Sequence, residues 1–197
     1  MNFLAHLHLA DISHTSLVAI LAGKFETGDI DNTPKHLQQG LWLQRQIQHL
    51  TETHELTKEL LQKFPKSLAH AAPTIIDVCF DHMLAKYWDE YHHQSLEDFS
   101  ANAFSAINAC NDLPQELLSL ATQVQQINGL VACQNRAGLN KALASAAQRA
   151  AKPETFKGAE ECVKKLDIEI EIAFRTYYPQ LMAYTRLWTR KTPAEYL

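Results

Sequence analysis

Apolar residues recur every three or four positions along most of this chain, which is the spacing of one face of an α-helix. The pattern is clear over residues 35–50, 113–127 and 129–150. Glycine, which weakens helices, occurs only 6 times in 197 residues, whereas the usual share is about 7%. These observations predict an all-α protein. The length fits one helical bundle, so we expect a single domain over residues 1–197.

The sequence also predicts individual helices. We expect a buried first helix over residues 1–10, a second one that starts with residues 17–22 and ends near residues 23–28, and a central one from about residue 73 to 91. Residues 154–176 are predicted as one helix. Within it, residues 166–172 alternate apolar and charged side chains as a half-buried strand does, but a lone strand would leave its backbone hydrogen bonds unmade. Pro179 is expected to interrupt the chain before a last helix over residues 180–189.

Two aspartates and a histidine stand inside the apolar central helix, at Asp77, Asp81 and His82. Residues four apart share one face of a helix, so Asp77 and Asp81 are expected to stand one above the other. Stacked carboxylates repel each other unless a metal ion, an arginine or a shared proton relieves them. The pattern could be half of a divalent-metal site, or a buried aspartate could cap a neighbouring helix or bind a core tyrosine or tryptophan. The local sequence leaves both interpretations open.

Two histidines lie in the first predicted helix, at His6 and His8. Residues two apart are separated by about 200° around a helix, so they cannot both face one point. For either residue, a core histidine with a hydrogen-bond partner is favoured over a metal ligand.

Charge is distributed unevenly along the chain. The formal net charge is -4, but residues 134–197 carry 11 Lys and Arg against 7 Asp and Glu. A basic C-terminal third can mark where an acidic partner docks, although ordinary solvated helix faces give the same count. We expect no nucleic-acid partner.

The cysteines and the N-terminal apolar run indicate the cellular location of the protein. Cys79, Cys110, Cys133 and Cys162 are widely spaced and form no CxxC pair, which is typical of reduced thiols in a cytoplasmic protein. The apolar run at residues 17–22 is far shorter than the ~20 residues of a membrane span. We therefore expect a cytoplasmic protein without a membrane partner.

Four blocks together resemble one family: Met1–Leu9, Leu21–Phe25 with Gly28, Asp77–His82 and Tyr177–Met182. The chain resembles the bacterial acyl carrier protein phosphodiesterases, also called acyl carrier protein hydrolases. The resemblance implies a helical fold related to the HD-domain metal-dependent phosphohydrolases. It also implies hydrolysis of the phosphodiester between 4'-phosphopantetheine and holo acyl carrier protein, a role connected with fatty acid biosynthesis, and a manganese ion that activates the attacking water.

The resemblance also assigns site residues. Asp77, Asp81 and His82 are implied as catalytic residues and metal ligands, with His6 as a further candidate ligand. The acidic acyl carrier protein would need a basic landing surface, for which the C-terminal third offers candidates. These candidates are Arg136, Lys141, Lys164 and Lys165.

Three positions depart from the family pattern. The family has an aspartate where this chain has Lys24, and a histidine and an aspartate where it has Gln44 and Gln48. A protonated lysine cannot bind a metal ion, and a glutamine amide is a weak, neutral ligand. One hypothesis is that the ammonium group of Lys24 replaces the cation beside Asp77 or Asp81.

Two functions from different classes follow. The chain is either a working or weakened metal-dependent phosphodiesterase, or a catalytically silent relative with an incomplete metal site that binds acyl carrier protein, pantetheine or another partner. The loss of expected ligands favours the silent relative. A helical protein with an unrelated role is the third alternative.

Overall fold

The computed structural model of the chain describes residues 3–23, 25, 29–110 and 113–197. These residues form helices, turns and loops and contain no strand, so the all-α prediction is confirmed. The α-helices are α1 (Phe3–Ile12), α2 (Leu17–Ala22), α3 (Lys35–Thr53), α4 (Glu55–Gln62), α5 (Ala72–Lys86), α6 (Trp88–Tyr91), α7 (Leu96–Asn108), α8 (Gln115–Gln126), α9 (Gly129–Ala132), α10 (Arg136–Arg149), α11 (Ala159–Lys165) and α12 (Asp167–Arg190).

Helix α1 lies at the centre of the core. Every residue from Phe3 to Ala10 is buried, which agrees with the prediction of a buried first helix. Its neighbours are α2, α5 and α12. Because α1 is apolar on all sides, it must be surrounded, and the other helices pack around it.

The close packing of α2 on α3 depends on Gly40. A Cβ atom at this position would lie 2.4 Å from the Cβ of Ala19 and 2.7 Å from its carbonyl carbon. Only glycine lets two helix backbones approach this closely. Gly40 therefore sets the position of α3, which carries several residues of the cavity described below.

The central predicted helix is divided in the structure. Helix α5 ends at Lys86, and Tyr87 leaves the helical region with φ -111° and ψ 24° before α6 begins. The segment over residues 129–150 is likewise divided, into α9 and α10.

The prediction of one helix over residues 154–176 is wrong. A 3₁₀ turn spans Pro153–Phe156, α11 follows, and α12 begins at Asp167. Gly158, at φ 86°, precedes α11 in the left-handed region, which ends any continuous helix there. The alternating stretch belongs to the start of α12, where Ile170 is buried while Ile168 and Ile172 are 73% and 60% exposed.

The prediction that Pro179 ends a helix is also wrong, because α12 continues through it to Arg190. Pro179 is exposed, so the carbonyl group that loses its helical hydrogen bond can reach water. Tyr177, Tyr178 and Leu181 are fully buried on both sides of the proline. Their packing against the core holds the helix together and outweighs the local cost.

Candidate functional site

A cavity of about 300 Å³ lies between α1, α3, α4 and α5. It brings together four residues that the sequence had singled out, His6, Gln44, Gln48 and Asp77. The remaining lining residues are Ile47, Thr51, Glu52, Thr57, Leu61, Pro73 and Ile76. The polar ones among these were missed by sequence reasoning, although Thr51 and Glu52 follow Gln48 at helical spacing and could have been found on that basis.

A chain of side-chain hydrogen bonds crosses the α3 wall of the cavity. The Nε2 group of Gln44 donates to Oε1 of Gln48 over 3.1 Å, and Nε2 of Gln48 donates to Oε1 of Glu52 over 2.8 Å. The three residues are spaced four apart, so their side chains meet on one helix face. Gln44 is buried, whereas Gln48 and Glu52 are exposed, so this series of hydrogen bonds runs from the inner wall of the cavity to solvent.

Thr51 connects the cavity to the core. Its hydroxyl group donates to the Ile47 carbonyl over 2.7 Å and so accepts the hydrogen bond from the Tyr177 hydroxyl, 2.8 Å away. Burial raises the pKa of Tyr177, which stays a neutral donor. Helix α12 thereby fixes the orientation of a cavity residue on α3.

Asp81 does not line this cavity. Its carboxylate is 4% exposed and accepts hydrogen bonds from the backbone N–H groups of Leu4, over 2.8 Å, and Ala5, over 3.0 Å. These groups lie in the first turn of α1, where N–H groups have no partner within the helix. A carboxylate there also interacts favourably with the helix dipole. This is the helix-capping role that the sequence left open for a buried aspartate.

His82 also points away from the cavity. It is buried, and its Nδ1–H group donates to the carbonyl oxygen of Cys133, the residue that follows α9. Burial is the main cause that lowers the pKa of His82, so the neutral ring is favoured. Of the three residues predicted on α5, only Asp77, which is partly exposed, lines the cavity.

Comparison with known families gives one assignment. The family described as acyl carrier protein phosphodiesterase matches residues 1–181. This chain belongs to the acyl carrier protein phosphodiesterase family. Proteins named acyl carrier protein phosphodiesterase are 29% identical to it in Yersinia pestis, 28% in Photorhabdus laumondii and 26% in Shigella boydii. These alignments cover 92% or 93% of this chain and 93% to 96% of each relative.

No solved structure matches this chain. The relation to HD-domain phosphohydrolases therefore stays a prediction. Among the described helices, none combines the length and the apolar character that crossing a membrane requires.

The resemblance to the family implies a divalent metal ion. Such an ion would need several nearby carboxylate, imidazole or thiolate side chains as ligands. Within residues 3–23, 25, 29–110 and 113–197, no three His, Cys, Asp or Glu side chains are grouped so that they could hold a metal ion. Asp81 is occupied with α1, and the cavity presents neutral amides at positions 44 and 48. The described residues therefore do not fit the implied ion. The ligand roles of Asp77, Asp81, His82 and His6 stay predictions.

Lys24, at the position where the resemblance implies an aspartate, lies outside the described residues. The preceding residue, Gly23, packs against the side chain of Gln44, since a Cβ atom on Gly23 would lie 3.0 Å from that of Gln44. The hypothesis that Lys24 neutralises Asp77 or Asp81 stays a prediction.

The two histidines of α1 face different surroundings, as their spacing predicted. His6 lines the cavity, whereas His8 is fully buried beside α12 and α6. The Nε2–H group of His8 donates to the Tyr91 carbonyl over 3.2 Å, so Nδ1 accepts from the Tyr178 hydroxyl, 2.7 Å away. His8 is thus a core histidine with two partners.

The burial of His8 predicts a loss of stability in acid. Burial is the largest cause that lowers its pKa from 6.5 to about 4. Above pH 6.5 the ring is neutral in both the folded and unfolded states, but between pH 6.5 and about 4 only the unfolded state takes up the proton. We expect this residue to remove about 3 kcal/mol of unfolding free energy across that window. Urea denaturation at several pH values measures the slope.

The control for this prediction is Leu143→Ala, at a buried apolar residue of α10. The His8→Phe variant should show a flatter pH dependence than the wild type between pH 4 and 6.5, whatever its absolute stability. Leu143→Ala should lower the stability at every pH but keep the wild-type slope, because it removes no titratable group. An unchanged slope in His8→Phe would contradict the prediction.

The four predicted partner-binding residues differ in their surroundings. Arg136 forms an ion pair with Asp167, and Lys165 lies 3.9 Å from Glu161. Lys164 and Lys141 are exposed. Of the four, Lys141 lines a second and smaller cavity, which is described below.

Proposed function

We propose that this chain binds acyl carrier protein without cleaving the bond to its 4'-phosphopantetheine arm. Membership of the acyl carrier protein phosphodiesterase family and the names of the relatives support the partner. The chemistry of the cavity supports binding without hydrolysis. The four free thiols agree with a cytoplasmic location, where this partner would be met.

The observation that carries the proposal is the hydrogen bond between Gln44 and Gln48. These are the positions at which the family pattern has a histidine and an aspartate. The NH₂ group of the Gln44 amide donates to the amide oxygen of Gln48. Neither side chain contributes negative charge to balance a dication. The reaction implied for the family requires a water molecule activated by a metal ion. The α3 wall of the cavity therefore lacks the side chains expected to bind that ion.

The cavity nevertheless keeps groups that suit binding. The hydroxyl group of Thr57 is buried and has no hydrogen-bond partner among the described residues. An unsatisfied buried hydroxyl group costs about 1–3 kcal/mol, so a ligand or a water molecule that reaches it is stabilised. Ile47, Leu61 and Ile76 add apolar contact area to the same cavity.

The test separates binding from cleavage. Holo acyl carrier protein is incubated with the purified protein and manganese, and mass spectrometry follows the loss of 4'-phosphopantetheine. We expect an unchanged mass, a saturable heat when acyl carrier protein is titrated into the protein, and none when manganese is titrated. Release of the arm would contradict the proposal and favour a working hydrolase.

The substituted positions give a gain-of-function prediction. The combined variant Lys24→Asp, Gln44→His and Gln48→Asp restores the side chains of the family pattern, and we expect manganese-dependent cleavage to appear. A matched control, Lys24→Asp with Gln44→Asn and Gln48→Asn, changes the same positions but keeps neutral amides at 44 and 48. It should stay inactive. Failure of the restored variant would show that more than these donors has changed.

A further inference from the structure

A second concave surface lies between α8 and α10, with α9 as its floor. We name it the α8–α10 groove. It contains a cavity of about 70 Å³, too small for a cofactor or drug-sized ligand, which takes about 300–1,000 Å³. Its lining residues are Phe3, Asp81, Leu120, Val124, Ile127, Gly129, Leu130, Ala132, Cys133, Gly138, Lys141, Ala142, Ser145 and Arg149.

One edge of the groove is apolar. Leu120, Val124 and Ile127 follow one another at steps of four and three residues, so they form a stripe along α8 and its C-terminal end. Ile127 is 60% exposed. An exposed isoleucine that continues a stripe of apolar lining residues offers contact area to a partner.

The other edge is basic. Lys141, Ser145 and Arg149 are spaced four apart and lie on one face of α10. Eight residues of helix place the two cations about 12 Å apart along the axis. Among the described residues, Lys141 and Arg149 form no ion pair with a carboxylate, and Arg149 donates to the hydroxyl oxygen of Ser145. Their charges are therefore available to a partner.

The surrounding sequence strengthens this charge. Residues 113–152 contain four basic residues and a single acidic one, Glu116, which does not line the groove. Asp81 at the floor is directed to the first turn of α1, whose N–H groups occupy both of its oxygens. The edge formed by α10 thus presents positive charge to solvent.

Gly138 fixes the distance between the floor and the basic edge. A Cβ atom on Gly138 would lie 1.8 Å from the carbonyl oxygen of Ala132. The start of α10 can therefore approach the end of α9 closely, and the groove keeps a defined width.

We propose that the α8–α10 groove docks an acidic amphipathic helix of a partner protein, which under the proposed function is acyl carrier protein. An apolar stripe and a parallel row of cations match a helix with one apolar and one acidic face. The small cavity accepts one apolar side chain as an anchor. A second copy of this chain would bring the same positive edge, and the repulsion of like charges disfavours it.

The experiment is a calorimetric titration of holo acyl carrier protein into the full chain, in buffer with a chelator at low and high salt. We expect the variant Lys141→Glu with Arg149→Glu to bind at least about tenfold more weakly at low salt, because two attractions become repulsions. Ile127→Asp tests the apolar edge separately, and we expect about a threefold to tenfold loss. Thermal unfolding followed by circular dichroism verifies that each variant is folded.

The matched control is Lys63→Glu with Lys66→Glu. Both residues are exposed, the double substitution produces the same change in net charge between α4 and α5, and neither residue lines the groove. Retained binding in this control, together with loss in the groove variants, supports the inference. If the groove variants bind as tightly as the wild type, or if the control loses as much affinity as the groove variants do, the docking site is overturned. The proposed function is left intact by either result. No binding to the wild type overturns both.

Discussion

Replacing Asp81 with alanine should lower the free energy of unfolding by about 3 kcal/mol, because a buried charge-assisted cap with two hydrogen bonds is lost. The carboxylate is 4% exposed, so water cannot easily replace it at the N–H groups of Leu4 and Ala5. These groups belong to α1, the helix around which the core is built. Urea denaturation at neutral pH measures the change.

Two further variants show whether the cap is the cause. Asp81→Asn keeps one acceptor oxygen, so we expect an intermediate loss of stability, since its amide group cannot accept the second hydrogen bond. Asp77→Ala, one turn earlier on α5 and partly exposed, should cost less than Asp81→Ala. Wild-type stability in Asp81→Ala would show that the carboxylate does not hold the start of α1.

Replacing Gly40 with alanine should destabilise the fold by about 3 kcal/mol, the upper part of the usual range for overpacking. The new Cβ atom would meet the Cβ of Ala19 at 2.4 Å and backbone atoms of Ala19 and Ile20 at 2.7 and 2.8 Å. Backbone atoms cannot rotate aside, so α2 and α3 must separate. The midpoint of chemical denaturation should fall accordingly.

A double-mutant cycle separates the side-chain contact at Ala19 from the backbone contacts. Adding Ala19→Gly removes the 2.4 Å contact but leaves the backbone contacts, so we expect only partial rescue. Gly158→Ala is the control, because no atom lies within 4 Å of the added Cβ and only the left-handed φ of 86° is disfavoured. It should cost about 1 kcal/mol. Equal losses in Gly40→Ala and Gly158→Ala would contradict the steric explanation.

Much of the fold could be predicted because helix formation is encoded in local spacing. The apolar periodicity predicted α3 and α8 close to their observed bounds. It failed at Pro179, where the local rule predicts a break but Tyr177, Tyr178 and Leu181 pack the helix into the core. It also missed the break at Gly158, because residues 154–176 contain apolar side chains on both sides of that turn.

The candidate site could be predicted in part. The family resemblance pointed to His6, Gln44, Gln48 and Asp77, and the structure places all four around one cavity. Thr57 was missed, since it lies on α4 and reaches the cavity through the packing of that helix against α3, α5 and α12. No short motif marks a residue whose role depends on a neighbouring helix.

The sequence by itself determined the helical class, because apolar periodicity depends on residue type and local spacing. It also determined that positions 44 and 48 carry neutral amides, which are weak metal ligands. Only the tertiary structure decided what Asp77 and Asp81 do. They share an i, i+4 spacing on α5, yet one lines the cavity while the other caps α1. The cap joins residues 77 positions apart in the chain, and a contact between such distant residues is set by how the helices pack.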